Sequence, residues 1–182
     1  MTRAREAERV MQEAECLYSR QQVDAAIDRI ASLINADYDG LSPVVLCVMN
    51  GGVVLAGHLL TRLSAVLECD YLHATRYRGE TSGGELVWKH HHEIALNGRD
   101  VLVLDDILDY GETLRAIRDA CLTEGAGSFR AAVLVRKIHD QPQGIEADYV
   151  GLEVPDRYVF GYGMDYKGFL RNAPGIYAVR ES

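Results

Sequence analysis

The chain predicts an α/β fold, a mostly parallel sheet flanked by helices, because one unit occurs twice: an apolar strand, a polar turn and a helix. In the first unit, Val44 to Met49 (VVLCVM) is a continuous apolar run of strand length. Asn50-Gly51-Gly52 breaks it, and Val53 to Leu67 has helical length and period. In the second, Val101 to Asp106 (VLVLDD) precedes a helix over Thr113 to Glu124, which Gly125 stops just beyond the cap. Two further apolar runs, Ala131 to Val135 and Tyr149 to Val154, extend the sheet.

The remaining elements fit around that sheet. Ser19 followed by Gln22 is a capping-box start, and Val23, Ile27, Ile30 and Ile34 then recur on one face of a helix that ends near Gly40. Cys69 to Tyr77 reads as a strand, RGETSGGE as a glycine-rich loop and LVWKHHHEIAL as the returning flank of a hairpin. His90, His91 and His92 alternate faces on such a strand, which predicts a solvated or interface run rather than a metal site. Tyr158 to Tyr162 opens a final aromatic-rich portion, and no repeat or linker divides the chain, so residues 1–182 read as one domain.

Composition narrows the function. Nineteen basic against 27 acidic residues give a net charge of −8, which argues against broad binding of nucleic acid or anionic membrane. Cys16, Cys47, Cys69 and Cys121 lie in four separate segments with no C-x-x-C pair, as expected of a reduced cytoplasmic protein. No apolar run has the length of a membrane span or the form of a signal peptide.

Chemistry concentrates in VLVLDDILDYGETL, residues 101–114, where an apolar run breaks on two aspartates and closes around a third. Asp105 and Asp106 point to opposite sides of an extended chain, so one can face a ligand while the other faces the fold. A sugar diol, or a magnesium ion with its waters, suits such a shallow acidic turn. Asp109, Tyr110, Gly111, Glu112 and Thr113 then lead into a helix, whose unpaired N–H groups and positive dipole end favour an anion. Asp109 lacks an obvious basic partner in the sequence and is either a proton acceptor or a structural cap. Neither a Walker loop nor a G-x-G-x-x-G fingerprint occurs.

The pattern of four apolar residues, two acidic, two apolar, then D-x-G-x-T resembles the phosphoribosyl pyrophosphate signature of type I phosphoribosyltransferases. Val135 to Lys137, Asp148 to Tyr166 and Arg171 are similar, in order and spacing, to the purine-binding region of the hypoxanthine-guanine branch. The resemblance runs from about Val44 to the C-terminus. It implies transfer of the 5-phosphoribosyl group to hypoxanthine or guanine, giving IMP or GMP and pyrophosphate, with Mg2+, in a homodimer or homotetramer. It also implies a small hood formed by terminal segments, the C-terminal region with an N-terminal helix, and a flexible flap at about 75–95.

By that resemblance Asp105 and Asp106 contact the ribose hydroxyls directly or through magnesium, and residues Asp109 to Thr113 cradle the 5′-phosphate. Asp109 is the candidate base at purine N7, Lys137 the donor to the 6-oxo group, Tyr158 the stacking lid and Val159 a source of backbone hydrogen bonds. Asp165 would hold a second magnesium at the purine end and Arg171 the pyrophosphate, while Arg76 and Tyr77 lie in the flap. Asn50, Gly51 and Gly52 resemble the pyrophosphate loop, although a basic residue commonly stands where Asn50 does. Tyr110 and Glu112 also depart from the family pattern, the former replacing a frequent threonine. A lysine donor prefers a 6-oxopurine because adenine's amino group offers it no acceptor. Two other readings remain: a regulatory nucleotide- or RNA-binding protein of the same fold, and a same-fold enzyme preferring xanthine.

Overall fold

The computed structural model describes residues 2–76, 86–140 and 144–180. The two predicted units form as expected, with β2 (Val44–Val48) leading to α3 (Val53–Leu59) and β5 (Asp100–Leu108) leading to α4 (Glu112–Thr123). Before them come α1 (Arg3–Glu13), β1 (Glu15–Tyr18) and α2 (Arg20–Asp37). Between and after them lie β3 (Glu68–Arg76), β4 (Leu86–His90), β6 (Ser128–Ile138), β7 (Tyr149–Pro155), β8 (Val159–Phe160) and β9 (Ile176–Ala178).

Six strands form a sheet in the order β4-β3-β2-β5-β6-β7, parallel throughout except for the antiparallel β3–β4 pair. The period of two in each central strand sorts side chains to two cores. Val45, Cys47, Leu102 and Leu104 pack beneath α2 and α3, whereas Val44, Leu46, Val48, Val101 and Val103 pack against Leu114, Ile117 and Cys121 of α4. Continuous apolar sequence thus means a strand covered on both faces.

Helix ends follow local chemistry. Ser19 and Gln22 form the expected capping box of α2, worth roughly 1 kcal/mol. That helix ends at Asp37, a little before Gly40. Gly125 stops α4 with a φ of +90°. The helix expected over Val53 to Leu67 is shorter: α3 gives way to a 3-10 turn at Leu60–Arg62, and Leu63 is already extended. Asn35 of α2 captures this end, accepting from Ser64 N at 2.9 Å and donating to Arg62 O at 2.9 Å. A tertiary cap here overrides the apolar period.

A second, three-stranded sheet, β1-β9-β8, joins the two ends of the chain. Ala7 and Val10 of α1 pack with Phe160, Tyr166 and Ala173 beside it, so the terminal segments build the hood. The expected hairpin flanks are β3 and β4, while 77–85, which includes Tyr77 of the expected flap, lies outside the described residues. The histidine run departs from expectation because only His90 belongs to β4. His90 stacks on Tyr71 at 4.3 Å, His91 stacks on Trp88 at 4.7 Å, and His92 faces Glu124 at 3.1 Å. The rings pack on these neighbours, while His91 stays exposed and His90 and His92 are partly buried. Among the described residues no helix is long and apolar enough to cross a membrane.

Candidate active site

Parallel register brings the carboxyl ends of adjacent strands to one edge, where ligands of open α/β sheets collect. Leu108 of β5 pairs with Arg136 of β6, and Ile138 of β6 with Pro155 of β7. The residues that follow these pairs, Asp109, His139 and Asp156, therefore meet although they are far apart in sequence. Beside them lies a cavity of about 640 Å³, lined by Asn50, Gly51, Asp105, Asp106, Asp109 to Thr113, Asp165, Arg171 and His73.

The acidic pair forms part of the lining. Asp105 and Asp106 both border the cavity, which corrects the expectation that they diverge. The Asp105 carboxylate turns back to accept the Asp106 backbone N–H at 2.9 Å and so reaches the same side. Burial, and then the neighbouring Asp106 charge, push the Asp105 carboxyl well above its ordinary 3.8. Burial raises Asp106 as well, opposed by the Arg171 guanidinium 3.9 Å away. A buried carboxylate pair costs free energy until it meets a cation or hydroxyl donors.

Gly51 and Gly163 make room around Asp106. A Cβ at Gly51 would collide with the Asp106 carboxylate, and one at Gly163 would collide with the Gly51 carbonyl. Gly52 approaches the carbonyls of Val48 and Leu104 so closely that a Cβ would lie 2.8 and 2.7 Å from them. The Met49–Asn50 peptide is cis. Across the cavity Arg171 donates to Asp165 Oδ1 at 2.7 Å and to Gly163 O at 2.5 Å, and Gly168 N donates to Asp165 Oδ2 at 2.6 Å.

The turn into α4 is capped by Gly111 in the left-handed region, with φ +79°, so Asp109 is not the cap. Ile145 packs against Gly111, where a Cβ would lie 2.7 Å from its Cγ2. Asp109 also has the basic partners that sequence did not reveal. Its Oδ1 lies 2.6 Å from His139 Nε2 and its Oδ2 lies 3.4 Å from Lys137 Nζ. Both side chains also face Asp156: Lys137 Nζ is 3.5 Å from Oδ1 and His139 Nδ1 is 3.1 Å from Oδ2. Tyr110 stacks on His139 with ring centroids 4.2 Å apart.

The structure thus gathers Asn50, Gly51, Asp105, Asp106, Asp109 to Thr113, Asp165 and Arg171 around one cavity, with Lys137 adjacent through Asp109. Lys137 lies inside β6, not beyond it. Tyr158 and Val159 stand in the hood: Tyr158 is exposed and meets Tyr166 edge-on at 5.5 Å, while the Val159 side chain is buried and its backbone pairs with Ala178. Arg76 ends β3, which places it at the start of the expected flap. Sequence reasoning missed His139 and Asp156. The two-residue step from Lys137 to His139, which puts both on one side of an extended chain, was the available signal.

Comparison with known proteins agrees with this geometry. The model of the phosphoribosyl transferase domain matches residues 13–167. A hypoxanthine-guanine phosphoribosyltransferase of Streptococcus thermophilus is 31% identical over 166 residues, covering 91% of this chain and 92% of that protein. A crystal structure of a hypoxanthine phosphoribosyltransferase from Staphylococcus aureus superposes with a TM-score of 0.88 at 27% identity, covering 93% and 94% of the two chains. A hypoxanthine-guanine-xanthine phosphoribosyltransferase structure superposes with a TM-score of 0.84 at 28% identity, covering 93% and 99%. The chain belongs to the hypoxanthine-guanine branch of the type I phosphoribosyltransferase family.

Proposed function

We propose that this purine salvage enzyme transfers the 5-phosphoribosyl group of phosphoribosyl pyrophosphate to N9 of hypoxanthine or guanine, releasing pyrophosphate and forming the nucleoside 5′-monophosphate. The observation that carries this reading is the meeting of Asp109 and Lys137 at 3.4 Å, at neighbouring strand ends beside a cavity that carries Asp105 and Asp106. A proton acceptor and a 6-oxo donor stand next to a site for a phosphorylated sugar.

Asp105 and Asp106 bind the ribose hydroxyls, and the N–H groups at the start of α4 with Thr113 Oγ1 hold the 5′-phosphate. Arg171 and the Asn50-Gly51-Gly52 turn face the leaving pyrophosphate. Lys137 donates to the purine 6-oxo group, Tyr158 covers the base, and Val159 on edge strand β8 offers backbone groups to it. Asp109 takes the N7 proton as N9 bonds to C1′. The buried oxygen-only donors Asp105 and Asp106, with Asp165 across the cavity, fit a hard divalent ion such as magnesium. When bound, it neutralises charge on the leaving pyrophosphate. The segment at about 75–95, with Arg76 and Tyr77, serves as the flap that excludes water from the ribosyl centre.

The chain acts as one domain, in the cytoplasm, as a homodimer or homotetramer. Its four free cysteines fit a reducing compartment, and sedimentation measures the assembly. The test of function is ultraviolet-monitored turnover of hypoxanthine, guanine, xanthine and adenine with phosphoribosyl pyrophosphate, with and without magnesium. Magnesium-dependent turnover of hypoxanthine and guanine but not adenine is expected. Turnover of adenine at a comparable rate would contradict the role of Lys137. Xanthine turnover would widen the substrate range in the direction of the similar hypoxanthine-guanine-xanthine enzyme.

A further inference from the structure

We infer that His139 relays the purine proton away from Asp109, a positioning and proton-carrying role that rests on the reading of Asp109 as the base. The imidazole is 3% exposed and stands between two carboxylates, with Nε2 2.6 Å from Asp109 Oδ1 and Nδ1 3.1 Å from Asp156 Oδ2. Asp109, 44% exposed on its side chain, lines the cavity that the substrates fill, whereas Asp156, 52% exposed, lies outside that lining. One ring therefore connects a carboxylate at the cavity to one outside it.

The placement is built by the fold. Asp109 follows β5, His139 follows β6 and Asp156 follows β7, so three successive parallel strands each contribute one member. Tyr110 stacks on the imidazole with an interplanar angle of 13°, which fixes the ring plane and keeps both nitrogens aimed along the line. Lys137 Nζ faces the same two carboxylates at 3.4 and 3.5 Å and balances their charge. Among the described residues the charged groups that face His139 are Asp109, Asp156 and, through them, Lys137. Donor atoms of Asp109, His139 and Asp156 lie within 4.8 Å of one another, but the two carboxylates engage opposite ring nitrogens. A shared metal ion would need them at one nitrogen; a proton bridge needs them as they are.

The step balances without another reactant. N9 forms its bond to C1′ while the C1′–O bond breaks, and that electron pair leaves on pyrophosphate. The N7 proton passes to Asp109, and Asp109 passes a proton to His139 Nε2. His139 then releases its Nδ1 proton to Asp156, which exchanges it with water. Once the nucleotide has left, a proton returns from water through Asp156 to Nδ1 and the Nε2 proton leaves through Asp109, which restores the starting tautomer. Asp109 is left ionised for the next purine, even while the bound nucleotide covers its cavity side.

The test uses the full chain and the variants His139→Gln, Asp156→Asn, Asp109→Asn and the double variant Asp109→Asn/His139→Gln. Steady-state turnover is followed against pH, with phosphoribosyl pyrophosphate affinity and melting temperature measured on each. Glutamine at 139 can still donate to Asp109 but cannot carry a proton. The relay therefore predicts a rate loss of roughly 10- to 100-fold, affinity within about twofold and one ionisation missing from the pH–rate profile. In the Asp109→Asn background the His139 change adds no further loss. A slow Asp109→Asn together with a wild-type rate for His139→Gln overturns the relay and leaves the base intact. A fast Asp109→Asn overturns the base reading, and the relay with it. If His139→Gln melts early, Asp156→Asn decides, with a several-fold rate loss expected and an unchanged rate contradicting the relay.

Discussion

Asp106 and Asp109 leave the same strand end, yet their surroundings are opposite. Asp106 is 8% exposed, lies against Gly51 and has Arg171 3.9 Å away, and burial raises its affinity for a proton. Asp109 is 44% exposed on its side chain and sits against His139 at 2.6 Å and Lys137 at 3.4 Å. The first carboxylate, with Asp105, has the surroundings of the proposed binding group for hydroxyls or a cation; the second contacts the groups of the proposed proton path. Position on a strand does not decide a carboxylate's role. The partners brought by β6 and β7, and the backbone crowding from the Asn50-Gly51-Gly52 turn, decide it.

The largest expected effect falls on the member in the proposed proton path. Asp109→Asn should lower the single-turnover rate by about 10²- to 10⁴-fold, the range of a lost general base. Next comes the binding member, perturbed without touching its own side chain. Gly51→Ala drives a Cβ into the Asp106 carboxylate and should weaken phosphoribosyl pyrophosphate binding by roughly 1–3 kcal/mol in calorimetry. Unchanged affinity would mean that the carboxylate moves aside freely.

Lys137→Met tests the cation between the two acids. It should raise the KM for hypoxanthine by about tenfold and narrow the preference for 6-oxo over 6-amino bases, because the donor to the oxo group is lost. The smallest effect is on stability. Asp105 has its folded value raised by burial, so its contribution to stability is full at acid pH and is lost as pH rises above 3.8 through the folded value. Asp105→Asn should therefore melt above the ligand-free wild type at neutral pH, by roughly 2–4 °C for each kcal/mol recovered, and the gap should close as pH falls. A gap independent of pH would remove burial of charge as its cause.

Much of this was legible in the sequence because the signals were local. A continuous apolar run marked each central strand, and an abrupt acidic break marked the end of β5. The D-x-G-x-T spacing located the turn that opens α4. What sequence did not carry came from other strands. Nothing near Asp109 indicates His139, thirty residues on, because parallel pairing alone sets them side by side. The same holds for Asn35, which ends the α3 segment early from a neighbouring helix, and for β1 and β9, too short for a period of two to register. The chain's hydrophobic pattern speaks for the frame, and register speaks for the site.

The most direct test measures two constants on two variants, Asp106→Asn and Asp109→Asn: calorimetric affinity for phosphoribosyl pyrophosphate with magnesium, and single-turnover rate with saturating hypoxanthine. The account predicts that Asp106→Asn weakens binding by at least about tenfold, while Asp109→Asn leaves binding within about twofold and loses most of the rate. Equal losses of binding and rate in both variants would contradict the division of labour between the two aspartates.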